Sequence, residues 1–124
     1  MTNLPSYSAS VRDCGFADYN NDGLIDAYLG HTKLYQNDGD NDFSEESISA
    51  FSGIPSSDRC DAIAWADYDN DGFMDVLVTS SNAYAYNYLF HNEGDGTSTS
   101  ITSCSDLIQA SQGSYGCVWG DIDN

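Results

Sequence analysis

The sequence predicts an all-β chain assembled from a repeated antiparallel unit, and three observations carry that expectation. First, the nine-residue segment Asp18-Tyr19-Asn20-Asn21-Asp22-Gly23-Leu24-Ile25-Asp26 returns 49 residues later as Asp67-Tyr68-Asp69-Asn70-Asp71-Gly72-Phe73-Met74-Asp75, with six of nine positions identical. A third copy opens at Asp121-Ile122-Asp123-Asn124, 54 residues further on. Similarity at a period of this size marks a repeated supersecondary unit. Second, the likeness continues on both sides of the acidic segment, so the unit is larger than a pair of acidic turns. Third, the intervening segments are short, rich in β-branched and aromatic residues, and punctuated by Gly, Asn and Asp, which suits strands and leaves little room for helix.

Ahead of each acidic loop stand an aromatic and a small residue, Phe16-Ala17, Trp65-Ala66 and Trp119-Gly120, and the three aromatics are expected to wedge between neighbouring units. Behind each complete loop comes a short apolar run, Ala27 to Leu29 and Val76 to Thr79, that reads as a strand. Next, Leu34 to Asp40 matches Leu89 to Asp95. Within these, Asn37 to Asp40 and Asn92 to Asp95 supply the residues tolerant of positive φ that a tight turn between antiparallel strands needs. The second unit carries six extra residues before this hairpin, with Tyr84, Tyr86 and Tyr88 alternating as on one strand face. Ser98 to Ser105 suits an edge strand or a loop equally. The organisation is a single repeat region over 1–124, with a first repeat over about 11–59, a second over about 60–113 and a partial third over 114–124.

The chain has 124 residues, of which 40% are hydrophobic and 13% aromatic, enough for a packed core. Twenty Asp and Glu stand against only Arg12, Lys33 and Arg59, a formal charge of -17. That balance is unsuited to nucleic-acid phosphates or anionic lipid and points to cations as partners. No apolar run reaches the length of a membrane span, and Met1 to Tyr7 lacks the basic and hydrophobic segments of a signal peptide, so the sequence as it stands reads as soluble, with no membrane insertion.

Seven of the 20 acidic residues, Asp18, Asp22, Asp26, Asp67, Asp69, Asp71 and Asp75, lie in the two complete loops. Carboxylate or amide oxygens at positions 1, 3 and 5, a glycine at 6 and a carboxylate at 9 match the oxygen shell of a hard cation, and calcium takes six to eight such ligands. In the first loop the side chains of Asp18, Asn20, Asp22 and Asp26 and the carbonyl of Leu24 form the candidate set; in the second they are Asp67, Asp69, Asp71, Asp75 and the carbonyl of Phe73. Asp121 and Asp123 are the start of a partial third site. Gly23 and Gly72 allow the backbone to reverse around the ion. The second loop has four carboxylates where the first has three and Asn20, which predicts tighter binding at the second. With no ion, like charges a few Å apart repel by about 1 kcal/mol per pair at solvent-like screening, so calcium is expected to act as a folding ligand. An EF-hand is excluded, because its twelfth position carries a bidentate acid and here holds Leu29 or Val78.

Cys14, Cys60, Cys104 and Cys117 match no metal-binding spacing, and disulfides are expected. Four cysteines allow three pairings, which sequence does not separate; Cys104 with Cys117 closes a short loop and leaves Cys14 with Cys60.

With Trp65-Ala66-Asp67 running through to Val78 and Leu89-Phe90-His91-Asn92-Glu93-Gly94-Asp95-Gly96, the chain resembles the FG-GAP/VCBS repeats of integrin-α-like β-propellers over almost its whole length. The resemblance implies four-stranded blades of β-propeller type, about two plus a partial third, with calcium in a loop between strands held by the two ligand sets above. It also implies an extracellular or cell-surface location and a role in adhesion, scaffolding or carbohydrate-associated contexts. The sequence departs from the family at Asn20, which replaces an acid, at Ser98, which replaces the usual aromatic, and in the third motif, which stops before its Gly and final Asp. A propeller closes with about four to eight blades. Two blades leave strand edges and apolar faces to be covered by neighbouring repeats, by further copies in a ring or fibre, or by the rest of a longer protein.

The first functional expectation is therefore an extracellular calcium-binding module for adhesion, scaffolding or self-assembly, with a glycan or protein as a further ligand. The alternative is a lectin-like module in which Tyr84, Tyr86 and Tyr88 stack on sugar, helped by Asn82 or Asn87; packing between blades is the competing use of the same rings. An enzyme is disfavoured: the two histidines, His31 and His91, read as surface or turn residues, no nucleophile signature appears, and no glycosidase carboxylate pair stands out from the metal loops.

Overall fold

In the computed structural model of the chain, residues 12–29, 33–46, 53–54, 60–82, 86–101 and 113–120 are described. They form two four-stranded antiparallel sheets, and no helix occurs among them. The first sheet runs in chain order through β1 (Cys14–Ala17), β2 (Asp26–Leu29), β3 (Lys33–Gly39) and β4 (Asp42–Glu46). The second does the same through β5 (Cys60–Ala66), β6 (Asp75–Ser80), β7 (Tyr88–Asn92) and β8 (Ser98–Ile101). An up-and-down meander of four strands is the blade of a propeller-like fold, as the repeat predicts.

The acidic segments are the connections between the first two strands of each sheet. Ala17 pairs with Asp26, and Ala66 with Asp75, so each nine-residue loop starts and finishes at one rung of a ladder. Leu29 and Val78, the twelfth positions, sit inside β2 and β6. The turn predicted over Asn37 to Asp40 falls slightly later. Asn37 stays in β3, its N–H donating to Asp26, and the chain reverses at Asp40 and Asn41 with φ of 51° and 64°. The second hairpin turns over residues 93–97, where the Glu93 N–H donates to the Thr97 carbonyl at 3.1 Å. Ser98 to Ile101 is a strand at the edge of its sheet, which decides for that part between the two alternatives the sequence left open.

The core lies between the sheets. Tyr28 and Leu34 of the first pack with Ile63, Val76, Val78 and Phe90 of the second, together with Ile54 and Cys60. β6 is buried along its full length. Val76 and Val78 face this cluster, while the strand is flanked by residues 113–120: the Ser114 N–H donates to the Ser80 carbonyl at 2.8 Å and the Cys117 thiol to the Leu77 carbonyl at 3.8 Å. A continuous apolar run in sequence is what burial on both faces requires.

Of the three expected wedges, two lie against the blade that precedes them in sequence. Trp65 packs against the core and meets Tyr28 edge-on at 6.2 Å. Trp119 stacks on Tyr68 at 6.3 Å and donates its indole N–H to the Ala64 carbonyl at 3.2 Å. Phe16 is the correction: it is 60% exposed. It occupies the equivalent place on β1, where no earlier sheet is present among the described residues to receive it. The neighbouring Gly15 is the residue that touches the second sheet, so closely that a Cβ there would lie 2.7 Å from Ile63 Cγ2.

Two other expectations change. Cys14 and Cys117 carry free thiols, so neither the Cys104–Cys117 nor the Cys14–Cys60 bridge is formed. Cys14 is exposed on β1 of one sheet while Cys60 is buried at the start of β5 in the other, and Cys117 is engaged with β6. Among the described residues the tyrosine stripe does not continue as a strand face either, since Tyr86 and Asn87 precede β7, which begins at Tyr88. Tyr88 stacks on Phe90 at 6.3 Å, Tyr86 is exposed outside any strand, and Tyr84 lies outside the described residues.

Candidate metal centre

Each acidic loop is folded by its own carboxylates. In the first, Asp18 accepts the N–H groups of Asp22 at 3.0 Å and Gly23 at 2.9 Å, and Asp22 accepts that of Leu24 at 2.8 Å. In the second, Asp67 accepts the N–H groups of Asp71 and Gly72, both at 3.0 Å, and Asp71 that of Phe73 at 2.8 Å. The backbones match as well: φ is 57° at Asn21 and 62° at Asn70, and 87° at Gly23 and 95° at Gly72. Such positive φ is tolerated by Asn and free of strain at Gly, which explains why both residues recur at the fourth and sixth positions.

The ninth-position aspartates do a different job from the other acids. Asp26 and Asp75 are 1% and 0% exposed. The two oxygens of Asp75 accept the N–H of Tyr68 at 3.1 Å and that of Asn92 at 2.8 Å; those of Asp26 accept the N–H of Tyr19 at 3.1 Å and that of Asn37 at 2.8 Å. Each therefore ties the second residue of its loop to the third strand of its blade. Burial raises the pKa of both carboxyls, and the main-chain hydrogen bonds pull against that rise.

The loops also touch one another. The Asn21 amide donates to the Gly72 carbonyl at 2.8 Å, and the Asn92 amide donates to the Tyr19 carbonyl at 2.7 Å and to the Met74 carbonyl at 3.2 Å. Asn37 and Asn92, absent from the sequence-derived site, are thus structural members of it. Their signal was the shared Asn in the two matched hairpin segments.

The convergence that suits a metal is in the second blade. Ligand oxygens of Asp67, Asp69 and Asp71 lie within 4.8 Å of one another, and so do donor atoms of Asp69, Asp75 and His91. These clusters fit a cation: three carboxylates crowd one loop, and the set is dominated by hard oxygen. No such triad of acidic or imidazole groups occurs in the first loop, where Asn20 takes the third position and its amide donates to Asp22 at 2.9 Å. Leu24 and Phe73 hold the seventh position, each placed by its N–H bond to the fifth-position aspartate. Asp121 and Asp123 lie outside the described residues, as does His31.

His91 was expected to be a surface or turn residue. It is instead a mostly buried residue of β7, 3.3 Å from Asp69 and 3.2 Å from Asp75 through Nδ1. Tyr68 meets its ring edge-on at 6.2 Å. Elsewhere, a cleft of about 260 Å³ is lined by Tyr19, Asn20, Gln36, Asn92 and Thr97, and neither Tyr86 nor Tyr88 borders it.

The four-stranded meanders, joined at their first corner by a repeated Asp-rich loop, are matched by the FG-GAP-like repeat family over residues 18–78 and by the FG-GAP repeat family over residues 61–100. The chain is an FG-GAP repeat protein. No curated protein and no solved structure shows significant similarity to it. FG-GAP repeats are non-enzymatic modules, typically extracellular, of the kind found in adhesion proteins such as integrins. No helix among the described residues is long and apolar enough to cross a membrane.

Proposed function

We propose that this FG-GAP chain is a calcium-stabilised module of adhesion or scaffolding type that works outside the cell. The observation that carries the reading is the meeting of Asp67, Asp69 and Asp71 within 4.8 Å on a loop whose backbone is already turned by its own side chains. Calcium ligands in the second loop are Asp67, Asp69, Asp71, Asp75 and the Phe73 carbonyl; in the first they are Asp18, Asn20, Asp22, Asp26 and the Leu24 carbonyl. The ion neutralises charges that otherwise repel and holds the first two strands of each blade in register. Extracellular modules bind calcium at about 0.1 to 1 mM, which matches a loop used where the ion is abundant. Titration calorimetry of chelator-stripped protein tests this: heat of calcium binding and a higher melting temperature are expected, and the absence of both rejects it.

The exposed Phe16 supports a second element of the reading, contact with a neighbouring repeat. Its counterparts Trp65 and Trp119 each lie against the preceding blade, so the uncovered face of β1 suits the trailing face of another copy or of further repeats. Light scattering of the chain and of Phe16→Glu checks it. Association that the variant abolishes is expected, and a compact monomer at all concentrations rules out self-assembly.

A further inference from the structure

We propose that the second loop is also a mixed imidazole–carboxylate centre, in which His91 Nδ1 joins Asp69 and Asp75 to take a borderline transition metal such as zinc, and that the first loop is not built to do so. Nδ1 lies 3.2 Å from Asp75 Oδ1 and 3.3 Å from Asp69 Oδ2. Zinc holds nitrogen and oxygen at about 2.0 to 2.1 Å, and a tetrahedral shell at that radius separates its donors by roughly 3.3 Å. The two separations match edges of such a shell. Nδ1 is buried and makes no hydrogen bond to either oxygen despite the short distance. A metal between the three donors would supply the bond that this buried nitrogen does not make.

The surroundings suit the same role. The Asp75 carboxylate is gripped from behind by the Tyr68 and Asn92 N–H groups, so its position does not depend on the ion. The far nitrogen of the ring, Nε2, faces Asp71 at 3.7 Å and Glu93 at 3.9 Å. Once a metal holds Nδ1, the ring proton sits at Nε2, on the side of these two carboxylates. In the first blade the matching residue is Gln36, and with it goes the nitrogen donor. Imidazole favours zinc, cobalt, nickel or copper over calcium, so one side chain separates the two loops in metal preference. Asp69 belongs to both clusters of the second loop, and zinc there therefore weakens calcium binding at the same loop.

The experiment uses the whole chain stripped with chelator. Cobalt serves as the spectroscopic probe, and zinc and calcium are titrated separately by calorimetry. The parent is expected to show visible cobalt bands of a low-coordinate site, displaced by zinc and not by equal calcium. His91→Gln, which copies the first blade, should bind zinc about 100-fold more weakly, the upper end of what even an outer-shell change costs, and keep its calcium binding. Nitrogen NMR of the parent imidazole, which needs no variant, should report zinc at Nδ1. Equal zinc affinity in parent and His91→Gln, or no cobalt band and no Nδ1 shift in the parent, overturns the proposal. Its failure is distinct from that of the calcium reading: calcium heat without zinc heat leaves only the first standing, and zinc heat without calcium heat only the second.

Discussion

Replacing Asp75 with Asn keeps the size of a fully buried side chain and removes only its charge and one acceptor. In the parent both carboxylate oxygens accept main-chain N–H groups, from Tyr68 at 3.1 Å and Asn92 at 2.8 Å. A hydrogen bond to a charged group contributes about 1.5–3 kcal/mol, and an unsatisfied buried donor costs about 1–3 kcal/mol. An amide satisfies one of the two N–H groups as a neutral partner and turns its own NH2 toward the other. Against this, the amide avoids the burial that raises the Asp75 pKa. The balance is a loss of about 2 kcal/mol, a large share of the 5–15 kcal/mol typical of a domain. With a urea slope of about 1.5 kcal/mol/M, the unfolding midpoint should fall by roughly 1.3 M. The measurement belongs in chelator, where loss of a metal ligand plays no part. Coincident midpoints for Asp75→Asn and the parent would refute the assignment of Asp75 as the clamp between loop and β7.

Gly15→Ala should destabilise by about 1–3 kcal/mol, because the new methyl group meets Ile63 and Trp65 across the two sheets; urea unfolding that matches the parent would show that the sheets are not so closely apposed. Cys14 is exposed, whereas burial and then Asp13 raise the Cys117 pKa, so iodoacetamide at neutral pH followed by mass spectrometry should label Cys14 well before Cys117. The Tyr19 phenol is pushed from 10.0 up to about 12 by burial, with the charges of Glu46 and Asp26 adding to it. Since its folded pKa is the higher one, its contribution to stability is complete below 10 and fades as pH climbs to 12; in chelator, stability of the parent relative to Tyr19→Phe should fall over that window and stay constant beneath it.

The sequence by itself determined the blade and its punctuation. Alternation, turn residues and a doubled Asp-rich segment are local signals, and a strand–loop–strand unit stabilised by its own carboxylates needs no distant partner to be recognised. Tertiary structure decided what each position meets. Phe16, Trp65 and Trp119 are one kind of residue at one phase of the repeat, yet only the two with a preceding blade are covered, because burial is a property of neighbours. His91 looked like a turn residue because its partners, Asp69 and Asp75, lie 16 or more positions away in sequence and meet it only when β7 pairs with β6. The ninth-position aspartates were legible as acids but not as clamps, since the Asn37 and Asn92 N–H groups reach them only through the same strand pairing that places a hairpin beside each loop.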